Sequence, residues 1–131
     1  MQLEYLNIEL TRFPDRLSWS TAIEPGLDKA LLPHLILQPL FENAIKHGVA
    51  RTSAPVEIKL YAQRRNGQLV LRVGNEAKGV RLKPDPQGEG VGLANVARRL
   101  ESFYGSGAGL SVVQRDGRFT VELRLPIELS L

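Results

Sequence analysis

Residues 87–100 read QGEGVGLANVARRL: Gly88, Gly90 and Gly92 fall at alternate positions and lead into a segment with helical apolar spacing. Alternating glycines before a helix let a backbone pass close to a ligand, but they also make an ordinary turn. The choice between phosphate cradle and turn decides the fold, and it depends on the flanking sequence. Downstream, Leu93, Val96, Ala97, Leu100 and Phe103 share one face of a helix expected from about Val91 to Tyr104, which GSGAG closes. Upstream, EAKGVRLKPDPQGEG (residues 76–90) holds Gly79, Pro84 and Pro86 and is too irregular for a regular element. Loops of that length in a small domain are commonly functional.

Further out the periods change. Val56 to Ala62 and Leu69 to Val73 read as strands joined across Arg65-Asn66-Gly67, and Asn-Gly is the strongest short hairpin signal. Gly109 to Gln114 and Phe119 to Leu125 form a second hairpin around Asp116-Gly117. Leu17, Trp19, Thr21 and Ile23 alternate as in a half-buried strand. Between this strand and the first hairpin, a helix is expected from about Asp28 to His47. Pro39 lacks the N–H its turn needs, so it should bend or delay the regular helix. Between Leu40 and Gly48 the helix should be regular; Ile36, Leu37, Leu40, Phe41, Ala44 and Ile45 cover the buried arc, and Gln38, Glu42 and Lys46 share the opposite edge. Asn43 lies at the boundary, and Gly48 is placed as the left-handed residue that ends the helix. Residues 1–14, with Leu3, Leu6, Leu10 and Phe13 at helical spacing, read as the tail of a longer helix. The whole order predicts an α+β two-layer sandwich with helices on one face of a mixed, mostly antiparallel sheet.

Composition narrows the function. The chain has 131 residues, 43% of them hydrophobic, which suits one domain with one core. It has no cysteine and only two histidines, His34 and His47, which excludes disulfides and thiolate metal centres. No apolar run approaches the ~18 residues of a membrane span, and no signal-peptide pattern opens the chain. The net charge of +3 comes from scattered Lys and Arg, without the basic block or interleaved aromatics of a nucleic-acid binder. A phosphorylated small ligand needs far less positive charge.

Three segments in order, LPHLILQPLFENAIKHG (32–48), VGNEAKGV (73–80) and GEGVGLANVARRL (88–100), resemble the N, G1 and G2 boxes of the Bergerat ATP-binding fold. That fold is shared by histidine kinases, gyrase B, MutL and a class of heat-shock chaperone ATPases. FENAIKHG and GLANVARRL are most similar to the LytS/AlgZ-like sensor histidine kinases, and the resemblance extends from YLNIELTRFPDRL to GRFTVELRLP. It implies an ATP-binding catalytic domain over residues 15–131. Residues 1–14 would then be the end of a helix leading from a dimerisation and phosphoacceptor region outside this sequence. It further implies ATP and Mg²⁺ as ligands, a LytTR-type response regulator as partner, and a cytoplasmic domain of a homodimeric parent anchored in the inner membrane. No nucleic acid is expected to bind.

The resemblance also implies roles for residues. Asn43 is the N-box Mg²⁺ ligand, a hard oxygen of the kind Mg²⁺ prefers. Lys46, one turn on, neutralises phosphate charge, and its structural alternative is an i,i+4 pair with Glu42 worth only ~0.3 kcal/mol. His47 flanks the base or ribose, or simply caps the helix dipole. Gly88, Gly90 and Gly92 fold the chain over the triphosphate, with unpaired N–H groups of the following helix directed at it, and Leu93 lines the pocket. The G1 box departs from its usual Asp-x-Gly-x-Gly: this chain has Asn75-Glu76-Ala77-Lys78-Gly79, in which Gly79 alone is intact. Asn75 replaces a charge-assisted bond to the adenine amino group with a neutral one about half as strong. Its amide can still pair with adenine, Oδ1 accepting and Nδ2 donating. An amide free to turn over pairs with guanine as well, so weaker ATP over GTP selectivity is expected. The competing readings are a degenerate module acting as a dimerisation or signalling surface, and a gyrase-type ATPase. Against the latter, Pro39 stands four residues before Asn43, where a hydrolytic carboxylate belongs.

Overall fold

Burial along residues 56–65 has a period of two, with Val56, Ile58, Leu60 and Ala62 buried while Glu57, Lys59 and Gln63 are half-buried and Tyr61 is exposed. This alternation belongs to a strand with one face on the core. The computed structural model describes residues 17–27, 30, 36–51, 55–77, 90–115 and 118–128. Its elements are β1 (Leu17–Ile23), α1 (Leu37–Arg51), β2 (Val56–Arg65), β3 (Gln68–Ala77), α2 (Gly90–Tyr104), a short 3-10 turn (Gly105–Gly107), β4 (Gly109–Arg115) and β5 (Arg118–Pro126). The sheet order is β1-β2-β3-β5-β4. β1 runs parallel to β2, and every other neighbouring pair is antiparallel. The chain is therefore the expected α+β sandwich with a mixed sheet. Residues from both helices and all of β1, β2, β3 and β5 share one core, in which Phe41, Leu71, Leu93, Leu100, Phe119 and Leu123 are at most 1% exposed. The expected helix at residues 1–14 lies outside the described residues. Among the described residues no helix is long and apolar enough to cross a membrane.

Local chemistry explains most of the boundaries. Asn66 (φ 53°) and Gly67 (φ 78°) both take positive φ, as a two-residue type I′ turn requires, and the ladder runs straight to the turn at Arg65↔Gln68. Both strands are longer than expected because pairing continues through polar residues. At the far end Val56 pairs with Ala77, which carries Asn75 and Glu76 into β3 rather than the loop. Pro39 is the third residue of α1, within the first turn, where its missing N–H costs no helical bond. It has thus delayed the helix rather than bent it. For the earlier part of the expected helix, residues 28, 29 and 31–35 lie outside the described set, whereas Ala30 is buried.

Two expectations are corrected. Gly48 does not end α1, which continues through Arg51. Val49, Ala50 and Arg51 all tolerate helix, and the next breaker in the sequence is Pro55. On α2, Leu93, Val96 and Leu100 are buried and Tyr104 packs against the core, but Ala97 and Phe103 are exposed, Phe103 at 61%. Helical geometry sets positions 97 and 103 at opposite margins of the arc that 93, 96, 100 and 104 occupy. Burial, with the Glu128 carboxylate adding to it, raises the pKa of the Tyr104 hydroxyl.

On the sheet face away from the helices, Arg72 and Glu122 stand directly opposite in register and pair at 2.8 Å. Beside them Gly74 opposes Thr120. A Cβ at Gly74 would lie 2.9 Å from Thr120 Oγ1 and 3.1 Å from the Phe119 carbonyl oxygen. Gly74→Ala is predicted to cost about 1–3 kcal/mol by overpacking, read as a lowered urea midpoint. Adding Thr120→Ala should restore part of the loss, since the backbone contact remains. An unchanged midpoint in Gly74→Ala would refute the close approach.

Candidate functional site

β3 turns Leu69, Leu71 and Val73 toward the core, and its period of two places Asn75 at the next inward position. There the apolar row is broken by an amide that is only 3% exposed, the one buried polar residue among the described residues. Burying an amide is unfavourable unless it is hydrogen-bonded. Half of the requirement is met: Asn75 Nδ2 donates to the Ala44 carbonyl oxygen of α1 at 2.9 Å. A carbonyl has two lone pairs, so Ala44 can accept this bond alongside a helical one. The other half is unmet, because Asn75 Oδ1 is buried with no partner.

The residue before Ala44 repeats the pattern. On α1, Leu40, Phe41, Ala44 and Ile45 are buried, while Glu42 and Lys46 are exposed and Gln38 Nε2 donates to Glu42 Oε1 at 3.2 Å. Asn43 lies between these faces and is half-buried, yet its Oδ1 is enclosed and without a partner. Among the described residues, the Oδ1 atoms of Asn43 and Asn75 are the only buried side-chain polar atoms so left. Folded proteins pair nearly all such atoms with protein or water, so two orphaned acceptors on adjoining parts of a helix and a strand mark a place where a ligand's donor or a cation would be accommodated. Both are neutral, hard oxygens. No cluster of His, Cys, Asp or Glu able to hold a metal occurs among the described residues.

The amide of Asn75 has a fixed sense. Turning it over would set Oδ1 against the Ala44 carbonyl, acceptor to acceptor, and forfeit the bond at a cost of about 1–3 kcal/mol. The bond favours one sense of an amide that residue type alone leaves free to turn over. One Nδ2 hydrogen is already committed to the backbone, and Oδ1 is the acceptor left for a ligand. No sequence signal marks this bond, because its acceptor is a main-chain atom.

The other expected residues divide by element. Lys46 lies three residues after Asn43 on α1, and His47 follows it. Gly90 opens α2 and Gly92 falls in its first turn, which carries no acidic residue to offset the free N–H groups there. Leu93 is 1% exposed within the core, and α2 packs beside α1. Gly79 and Gly88 lie outside the described residues.

The Asn75–Ala44 bond generates a stability prediction. Asn75→Asp removes the donor and buries a carboxylate against a carbonyl, so at neutral pH the variant is expected to be less stable by about 2–4 kcal/mol. Burial raises the folded-state pKa of the introduced carboxyl above its unfolded value, and the protonated acid can donate to Ala44. The deficit is therefore full above the folded pKa and shrinks as pH falls toward the unfolded pKa near ~4. Urea melts of both proteins across that range test it; a deficit that grows on acidification would refute the assignment.

Residues 28–129 match the family described as histidine kinase-, DNA gyrase B-, and HSP90-like ATPase. The chain is 36% identical over 123 residues to the sensor histidine kinase BtsS of Escherichia coli strain K12, covering 93% of this chain and 22% of that protein. It is 31% identical over 132 residues to the sensor protein LytS of Staphylococcus haemolyticus, covering 93% and 23%. It therefore spans less than a quarter of the length of these relatives. Among solved structures, the mycobacterial sensor histidine kinase MprB superposes with a TM-score of 0.64 at 14% identity, covering 97% of this chain and 92% of that one. With the family matched over residues 28–129 and the fold shared, this chain belongs to the histidine kinase-, DNA gyrase B- and HSP90-like ATPase family.

Proposed function

We propose that this chain is the ATP-binding catalytic domain of a two-component sensor histidine kinase and that it transfers the γ-phosphoryl group of ATP to a histidine outside this sequence. The observation that carries the reading is the pair of orphaned oxygens, Asn43 Oδ1 on α1 and Asn75 Oδ1 on the strand bonded to the next residue of that helix. Asn75 Oδ1 accepts the adenine amino group. Asn43 Oδ1 is a hard ligand suited to Mg²⁺, which keeps several waters and bridges substrate phosphates. When bound, the ion supplies charge neutralisation and orientation of the phosphates. Lys46 reaches the phosphates as an exposed cation. The first turn of α2, with Gly90 and Gly92, offers N–H groups to the triphosphate, and Gly79 and Gly88 leave room for close passage. Leu93 supports the pocket from the core, and His47 flanks the base or ribose. Phosphoryl transfer of this kind is mostly positioning and electrostatics, which such a set can provide.

The parent protein is proposed to be a membrane-anchored homodimer with the phosphoacceptor in an upstream helical domain and a LytTR-type response regulator as its partner. Support comes from the relatives' names as sensor kinases and the LytS match. A second reading, a degenerate module that signals without nucleotide, has Ala77 in place of glycine and the neutral Asn75 in its favour. The two unsatisfied acceptors weigh against it, since a purely structural surface gains nothing by burying them.

Calorimetric titration with ATP and Mg²⁺ tests the proposal. Saturable binding is expected, weakened about tenfold or more in Asn43→Ala, a loss of ~1.4 kcal/mol or greater. Phosphotransfer is expected only after the histidine-bearing domain is supplied. A folded chain that gives no heat at millimolar ATP would shift the assignment to the signalling module.

A further inference from the structure

We infer that Asn66 is a site of spontaneous covalent modification: its side-chain amide leaves as ammonia when the Gly67 nitrogen attacks it, and an isoaspartyl or aspartyl residue results at the tip of the β2–β3 hairpin. Asn66 and Gly67 are both exposed and lie beyond the last pair of the ladder, Arg65 and Gln68, so strand pairing claims neither N–H. The other asparagines, Asn7, Asn43, Asn75 and Asn95, are followed by isoleucine, alanine, glutamate and valine, whose Cβ atoms crowd an attacking nitrogen. Asn66 alone precedes glycine, and the space where a Cβ of residue 67 would stand is open to 4 Å.

The reaction balances with water as its one co-reactant. The deprotonated Gly67 nitrogen bonds to Asn66 Cγ, the Cγ–Nδ2 bond breaks, and the amide nitrogen takes a proton from water and departs as ammonia. Water then opens the five-membered ring. Addition at Cγ gives aspartate, whereas addition at the main-chain carbonyl carbon gives isoaspartate, whose backbone runs through Cβ and Cγ. The fold sets the pace. The ring holds Cβ, Cα, the carbonyl carbon and the Gly67 nitrogen nearly in one plane. The type I′ turn defined by φ of 53° and 78° keeps ψ of Asn66 near ~30°, far from that plane. Ring closure therefore proceeds through moments when the tip is open, and the end of a hairpin opens at low cost in a folded domain.

Two contacts flank the tip. Arg64 N donates to Glu24 Oε2 just past the end of β1, and Gln68 Nε2 donates to the Gly107 carbonyl oxygen after α2, both at 3.2 Å. Isoaspartate adds a methylene to the main chain of a two-residue turn, so Arg65 and Gln68 lose their register and the flanking contacts loosen with it. Aspartate keeps the turn, because Asp-Gly also suits type I′.

Ageing the chain at mildly alkaline pH, folded and in urea, tests the inference, with conversion followed by peptide mass mapping and isoaspartyl methyltransferase labelling. Conversion is expected at Asn66 in both states, rising in proportion to hydroxide and about tenfold or more slower in the folded chain. The isoaspartyl product should unfold at a lower urea concentration than the fresh chain, and an unaged Asn66→Asp variant should stay close to the fresh chain. An intact Asn66 in folded chain after about a hundred half-lives of the reaction in urea would overturn the inference. Equal rates in the two states would overturn the control given to the turn, and an isoaspartyl form with an unchanged midpoint would overturn the loss of its flanking contacts.

Discussion

The hydrogen bond from Asn75 to the Ala44 carbonyl joins the two layers of this protein at a position that would otherwise be all apolar. Apolar contacts between sheet and helix are strong in sum but tolerant of small slides, whereas a buried hydrogen bond has a narrow range of distance and angle. Breaking it would leave a second orphaned group next to the first. The relative placement of β3 and α1 is therefore fixed most sharply where Asn75 meets Ala44.

The sheet order supports the same point. β3 is the middle strand, with β2 on one side and β5 on the other, so Asn75 lies on the most constrained part of the backbone. The parallel step from β1 to β2 requires a crossover, and α1 lies within it, on the core face of the sheet. Asn43 thereby sits on a helix packed across the strand that carries Asn75. Functional groups on rigid elements hold their geometry better than groups on loops. Asn43 and Asn75 both lie on such elements, α1 and β3.

The neutral chemistry of the pair has a consequence for folding. A buried aspartate at position 75 would face the Ala44 carbonyl and need a donor or solvent to remain charged. Asparagine offers both a donor, here given to the protein, and an acceptor from one side chain, and it carries no charge that varies with pH.

Much of the architecture was legible in the residues because local periodicity encodes it. Alternation marked β1, β2 and β5, Asn66-Gly67 marked the tight hairpin, and Pro39 marked the delayed start of α1. The order of the three boxes singled out Asn43 and Asn75 as candidate site residues before any geometry. Local pattern failed where neighbours decided: Gly48 stayed helical because no turn was needed there, and Ala97 and Phe103 fell outside an arc whose width only the packing sets. The sense of the Asn75 amide was beyond sequence altogether. Every residue carries the same carbonyl, so no residue type announces that the one at Ala44 meets Nδ2; only the packing of α1 against β3 decides which acceptor is near.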